Sequence, residues 1–242
     1  MGLRRMGLNF RLRVRAWLVA KGFWSQRSYS QCGEDLIIRF LFNSVGIPQP
    51  TYIDLGAHHP NHLSNTKLLY ADGSRGVNVE ANPDLLARFR RSRRGDLNLN
   101  FGVGAEENDG KTVDFYVMNS STMSTFSLEE AVRLEAETSI KRIKTIQVPM
   151  RGVLSIVKEY CGGAFPDLLN VDIEGTDSLV VPALVATPLA LRPKVVCIET
   201  LTYSESGTAK KRTDLIRAIV DAGYKVYADT YINTIFKRAD LT

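Results

Sequence analysis

Thr51-Tyr52-Ile53-Asp54-Leu55-Gly56-Ala57-His58-His59-Pro60 is the stretch that decides the fold. A short apolar run ends on an acid and a glycine and then breaks into a loop at Pro60, as a buried strand entering a tight turn does. Next, Asn65–Asp72 reads as a helix closed by Gly73, and Gly76–Val79 as a second strand ending on Glu80. Asn82-Pro83 opens another helix, with Asn as cap and Pro at the first helical position. Leu85, Leu86 and Phe89 face inward there, and the Arg88, Arg90, Arg91, Arg93, Arg94 cluster faces mostly outward. Leu97–Val103 reads as a third strand. Strand, helix, strand, helix, strand at this spacing means a parallel sheet with right-handed crossovers.

The pattern extends on both sides. Upstream, Ser30–Val45 has the stripe Leu36, Ile37, Phe40, Leu41 of an amphipathic helix, with Ser30 as its cap. Downstream, residues 105–149 read as an insertion: alternating strands at Thr112–Met118 and Arg142–Val148, a Ser/Thr-rich loop at Ser120–Ser127 and a charged helix at Leu128–Glu137. Val153–Tyr160 resumes the helices. Leu168–Ile173 and Val195–Ile198 are further strands, each followed by an acid. After a helix at Thr208–Ala222, Tyr224–Ala228 and Tyr231–Lys237 read as a final antiparallel pair.

The totals bound the answer. A chain of 242 residues with 44% hydrophobic and 24% charged side chains suits one α/β domain, here 28–242, preceded by an extension at 1–27. That extension holds seven basic side chains and no acid, so the formal net charge of +5 leaves the other residues at −2. Its stripe Phe10, Val14, Trp17, Leu18 suits an interfacial helix on an anionic membrane, packing on the domain, or nucleic-acid contact. No apolar run approaches the ~20 residues of a membrane span, and Ala16–Ala20 makes a poor signal-peptide core. Three cysteines without CxxC spacing give no disulfide framework or zinc site, which fits a reducing cytoplasm.

In an open parallel sheet, ligands bind at the carboxyl ends of the strands. Here those ends carry Asp54, Glu80, Asp172 with Glu174, and Glu199. The Gly56 turn lets backbone approach a ligand, but the second and third glycines of a pyrophosphate-binding GxGxxG are missing. Glu80, at the end of the next strand, suits a ribose diol. A nucleoside ligand without pyrophosphate fits both facts, and S-adenosylmethionine (SAM) is such a ligand.

Five motifs, in order, resemble the FkbM family of SAM-dependent methyltransferases. They are Tyr29-Ser30-Gln31-Cys32-Gly33-Glu34-Asp35, the Tyr52–Pro60 stretch, Ser64-Asn65-Thr66, Gly76-Val77-Asn78-Val79-Glu80-Ala81-Asn82-Pro83 and Leu169-Asn170-Val171-Asp172-Ile173-Glu174-Gly175. The resemblance spans residues ~28–237. It implies a Rossmann-like class I methyltransferase fold: an α/β, seven-stranded, mostly parallel sheet with an antiparallel last strand and helices on both faces. It also implies O-methylation of a sugar, glycan or glycolipid hydroxyl, or of a related natural product. By position, Asp54 and Gly56, in the turn with Ala57 and His58, would meet the methionine end of SAM. Glu80 would hold the ribose, Asn82 would sit near the adenosine, and Gly102 and Val103 would lie where adenine usually does. Asp172 would stand beside the transferred methyl. Thr176-Asp177 and Asp72-Gly73-Ser74 depart from the family pattern.

A sugar hydroxyl is a weak acid, so transfer calls for a general base. Asp172, Glu174, Glu199, His58 and His59 are the candidates, with Asp172 ranked first, Glu174 second and His59 third. Asp172, Glu174 and Glu199 could instead hold a divalent cation such as Mg²⁺ that orients a diol. The Ser120–Ser127 loop suits either a lid over the acceptor or a plain surface loop. Two other readings stand beside the first. One is a nucleic-acid methyltransferase, against which no Asn/Asp-Pro-Pro-aromatic motif follows the fourth strand and no RNA-binding module appears. The other is a non-catalytic protein retaining the fold. The reading expects a cytoplasmic enzyme, peripheral on the inner face of the membrane if its extension binds there.

Overall fold

The computed structural model describes residues 25–173, 177–201 and 209–242. The extension up to residue 24, and with it both tryptophans, lies outside the described residues, as does Glu174. Helix α1 is Glu34–Ser44, followed by β1 (Tyr52–Leu55), α2 (Lys67–Ala71), β2 (Gly76–Val79), α3 (Pro83–Ser92) and β3 (Leu97–Leu99). Then come β4 (Gly102–Gly104), β5 (Thr112–Met118), α4 (Leu128–Glu137), β6 (Arg142–Gly152), α5 (Val153–Tyr160), β7 (Leu168–Val171) and α6 (Val180–Ala186). The chain closes with β8 (Val195–Glu199), α7 (Thr213–Asp221), β9 (Tyr224–Asp229) and β10 (Asn233–Arg238).

Among the described residues one sheet has seven strands in the order β3-β2-β1-β7-β8-β10-β9. All neighbours are parallel except those of β10, which runs antiparallel to both β8 and β9. Strand order reverses between β1 and β7, so the carboxyl ends of these two strands bound the natural binding crevice. Alternate strand residues feed two cores. Ile53, Leu55, Leu169, Val171, Val196 and Ile198 pack with α5, α6 and α7 on one face. Tyr52, Leu168, Val195 and Cys197 pack with α1 and α2 on the other.

On that second face a polar row crosses the sheet. The register sets Asn98 beside Asn78, Asn78 beside Asp54, Asp54 beside Asn170 and Asn170 beside Cys197. Asn78, Asp54 and Asn170 are buried, so their side chains must bond one another or the layer above.

The segment read as one strand at Leu97–Val103 is two. The Asn100 side chain donates to the carbonyls of Glu80 and Ala81 and turns the chain. β3 therefore stays in the main sheet, while β4 pairs parallel with β6, which also pairs antiparallel with β5. Helix α1 begins at Glu34, four residues after Ser30, because Gly33 takes a left-handed conformation there. The Ser30 hydroxyl still accepts from the Asp35 N–H. α7 begins at Thr213, later than expected, and α6 was not anticipated. In α3 the Asn82 side chain caps the Asp84 N–H at 3.0 Å, with Pro83 in the first turn as expected. Arg88, Arg90, Arg91 and Arg94 are exposed on this helix and the turn after it. Arg93 is the exception: it is wholly buried. Among the described residues no helix is long and apolar enough to cross a membrane.

Candidate active site

A cavity of about 1090 Å³ opens at the carboxyl edge of the sheet. It reaches the upper end of the size ordinary for small-molecule sites, enough for a cofactor and an acceptor together. Asp54, Gly56, Ala57, His58, Glu80, Gly102, Val103, Asp172 and Glu199 all line it.

The turn after β1 sets the floor. Gly56 has a φ of +78°, and a β-carbon there would sit 1.8 Å from the Asp172 carbonyl oxygen. Only glycine permits that approach. The N–H groups of Gly56 and Ala57 both donate to the Val79 carbonyl, tying the turn to β2. Asp54 accepts from Thr66 Oγ1 at 2.6 Å and from Asn170 Nδ2 at 2.8 Å. Burial raises its carboxyl, and these two bonds and the charge of Arg93 oppose the rise.

Glu80 ends β2. Its carboxylate accepts from the His58 N–H at 2.8 Å and the Asn82 N–H at 2.7 Å. A carboxylate offers about four acceptor positions, so these bonds leave about two, the number a diol would use. Burial pushes its pKa up to about 7, and the charges of Asp54 and Asp172 add to the rise. Beyond it, Gly102 and Val103 form a wall with Phe115, Phe126 and Met150, apolar as an adenine face requires. The donor set thus fits SAM: acid for a cationic amino-acid end, acid for the ribose, apolar wall for the base.

Asp172 follows β7. The residue is exposed and lines the cavity. The protein walls push its carboxyl up to about 7, helped by the charges of Asp177 and Asp54. Glu199, at the end of β8, is pushed up to about 8 by burial and by Asp172 and Asp177, with Arg212 opposing. Asp177 accepts from the Ile173 N–H at 3.0 Å and lies 3.9 Å from Arg212. Asp177 and Arg212 escaped the sequence reading. In the sequence Asp177 stands out only as a departure from the family pattern, and Arg212 sits before α7 with no motif around it.

Two predicted residues fall elsewhere. His59 does not line the cavity. Its Nδ1 accepts from the Asn61 N–H, its ring meets His62, and burial with nearby Arg88 lowers its pKa. Asn82 does not line it either, because its side chain is spent on capping α3 and its N–H on Glu80. His58 does line it, at a φ of 51°, with Nε2 2.9 Å from Ser121 Oγ. Burial and the neighbouring charges of His59, His62 and Arg88 lower its pKa to about 4, so it is neutral near neutral pH. Through that contact the 120–127 loop meets the β1 turn, and Ser121 to Ser127 line the cavity. Among the described residues no three His, Cys, Asp or Glu group as a metal site would; Glu174, one of the three metal candidates, is not among them.

Several solved structures resemble the chain remotely. A TehB-like SAM-dependent methyltransferase from Corynebacterium glutamicum shares 10% identity over 97% of this chain and 99% of its own, with a TM-score of 0.41. A SAM-dependent methyltransferase from Clostridium acetobutylicum shares 9% over 93% and 98%, at 0.40. Aeropyrum pernix fibrillarin, solved with natively bound SAM, shares 10% over 78% and 65%, at 0.39. Comparison with curated proteins finds no match. The sequence itself matches the methyltransferase FkbM domain over residues 54–226, well over half its length. That match runs from the acid of β1 past the acid of β8 and takes in the cavity edge between them, so the chain belongs to the FkbM family of SAM-dependent methyltransferases.

Proposed function

We propose that this methyltransferase acts on oxygen, transferring the methyl group to a hydroxyl of a sugar, glycan or glycolipid, with Asp172 as general base. The observation that carries the reading is the Asp172 carboxyl, facing the cavity with a pKa raised to about 7. An amine acceptor attacks without help once neutral, whereas an aliphatic hydroxyl gains from losing its proton as it attacks, and a base near the working pH takes that proton best.

When bound, SAM supplies a methyl on a sulfonium sulfur, which departs as a neutral thioether when the acceptor oxygen bonds the methyl carbon. The chain's own residues do the rest. Asp54 and the Gly56 turn receive the amino-acid end, Glu80 accepts from the ribose hydroxyls, and the walls exclude water and align the acceptor. Asp172 takes the hydroxyl proton on a carboxylate oxygen. Glu199, protonated near neutral pH, donates a hydrogen bond to the acceptor or to Asp172. Gln31, Asn65, Asn233, Ser121 and Thr122 border the same cavity. Amides and hydroxyls of this kind support a polyhydroxyl acceptor, since they both donate and accept. The test is incubation of polysaccharide and glycolipid fractions with methyl-labelled SAM. Label in an ether linkage to sugar supports the reading, and label on nitrogen or on nucleic acid contradicts it.

A further inference from the structure

Arg93 is the one member of the arginine cluster turned into the protein, and its surroundings are polar. Nε and Nη2 donate to the Pro60 carbonyl at 3.1 and 2.8 Å. Nη2 also donates to Ser64 Oγ at 2.7 Å, and Nη1 to Thr66 Oγ1 at 2.7 Å and Asn78 Oδ1 at 3.5 Å. All five N–H bonds of the guanidinium are therefore directed. Four of them go to the loop between β1 and α2.

That loop needs holding. His58 and Leu63 both have positive φ, 51° and 52°, where non-glycine residues are strained and persist only if their surroundings over-determine them. The loop joins two of the cavity acids: its His58 N–H bonds Glu80, and its Thr66 hydroxyl bonds Asp54. The Thr66 hydroxyl has one hydrogen, and it goes to Asp54 Oδ2, so the bond from Arg93 falls on a lone pair and the direction of the chain is fixed. On the far side Asn65 donates to Asn170 Oδ1 at 2.9 Å, and Asn170 donates to Asp54 Oδ1. Among the described residues the hydrogen-bond partners of Arg93 are all neutral, and a buried cation without a carboxylate partner is costly.

We infer that Arg93 is a positioning residue of the SAM site: by gripping Pro60, Ser64 and Thr66 it fixes the 58–66 loop and orients the Asp54 carboxylate through the Thr66 hydroxyl. The inference rests on Asp54 meeting the cationic end of SAM. Arg93 also acts on Asp54 by charge. The groups facing Asp54 are Arg93 and Asp96 from the α3 side, Glu80 at the end of β2, Asp172 at the end of β7, and Cys197 on β8. Arg93 is the cation among them, so its removal raises the Asp54 carboxyl further. SAM binding that needs ionised Asp54 then sets in at higher pH. Glu80 titrates nearby, so the midpoint belongs to both acids, and Asp54→Asn isolates the part due to Glu80.

The experiment is calorimetric SAM binding across pH for the full chain and for Arg93→Met, Arg93→Lys, Thr66→Val, Asp54→Asn and the Arg93→Met/Thr66→Val double variant. Arg93→Met is expected to weaken SAM about tenfold near neutral pH and to move the binding midpoint up by about one unit. Arg93→Lys should restore part of both. Thr66→Val should weaken SAM less, and the double variant should be no worse than Arg93→Met, the mark of two groups acting in one chain. A residue that only supports the fold would lower thermal stability and leave the midpoint unmoved, and that result overturns the inference. Where Arg93→Met fails to fold, Thr66→Val decides: unchanged affinity and midpoint overturn it. If Asp54→Asn binds SAM as the parent does, the Asp54 assignment falls first. If Asp54→Asn loses binding while Arg93→Met and Thr66→Val keep it, the Arg93 inference falls alone.

Discussion

The carbonyl oxygen of Asp172 lies where Gly56 has no side chain: a β-carbon at residue 56 would approach it to 1.8 Å. The turn after β1 and the end of β7 are packed backbone against backbone, and the residue proposed as base is seated by that contact. Gly56→Ala should therefore cost at least about 2 kcal/mol in stability, from the positive φ and the clash together. It should also displace Asp172. Denaturant unfolding with SAM calorimetry checks both, and a variant as stable and as tight as the parent would contradict the geometry.

Glu80 lines the cavity, and protein N–H groups take two of its acceptor positions. Glu80→Ala is expected to weaken SAM by about tenfold or more, close to 1.4 kcal/mol. Glu80→Gln, which keeps one acceptor oxygen, should lose less. Unchanged affinity in both would remove the ribose assignment.

Asp172 works as a base only when ionised. With its pKa near 7, kcat/KM for the acceptor at saturating SAM should rise with pH through about 7 and fall again above about 8, where Glu199 loses its proton. Asp172→Asn should abolish the rising limb and lower kcat by about 10²-fold or more. A pH profile flat across the range in the parent enzyme would contradict the assignment.

Metal dependence separates the two roles open to Asp172 and Glu199. Acting as base and hydrogen-bond donor, they need no cation, so activity after dialysis against a chelator should equal that before it. Loss of activity restored by Mg²⁺ would make them metal ligands instead.

Much of this was legible in the chain because parallel strands end at a fixed edge. Once Thr51–Leu55, Gly76–Val79 and Leu168–Ile173 are read as strands, Asp54, Glu80 and Asp172 must meet there, and the cavity edge follows. What was not legible depends on distant partners. Arg93 looks like its neighbours in sequence; only the carbonyl of Pro60 and the hydroxyls of Ser64 and Thr66 draw it inward. The break in Leu97–Val103 depends on Asn100 finding the carbonyls of Glu80 and Ala81, 20 and 19 positions away. Asp177 and Arg212 converge on the cavity from different elements. His59 shares a motif with His58 but does not line the cavity, and its Nδ1 accepts from the Asn61 N–H instead.

The central claim is methyl transfer to a sugar oxygen with Asp172 as base. Its most direct test is linkage analysis by mass spectrometry of polysaccharide and glycolipid from cells carrying the parent gene, no gene, or Asp172→Asn. The account predicts an O-methyl sugar present with the parent and missing in the other two. An O-methyl sugar undiminished in the Asp172→Asn cells would contradict the base assignment, and identical sugars in all three would contradict the acceptor class.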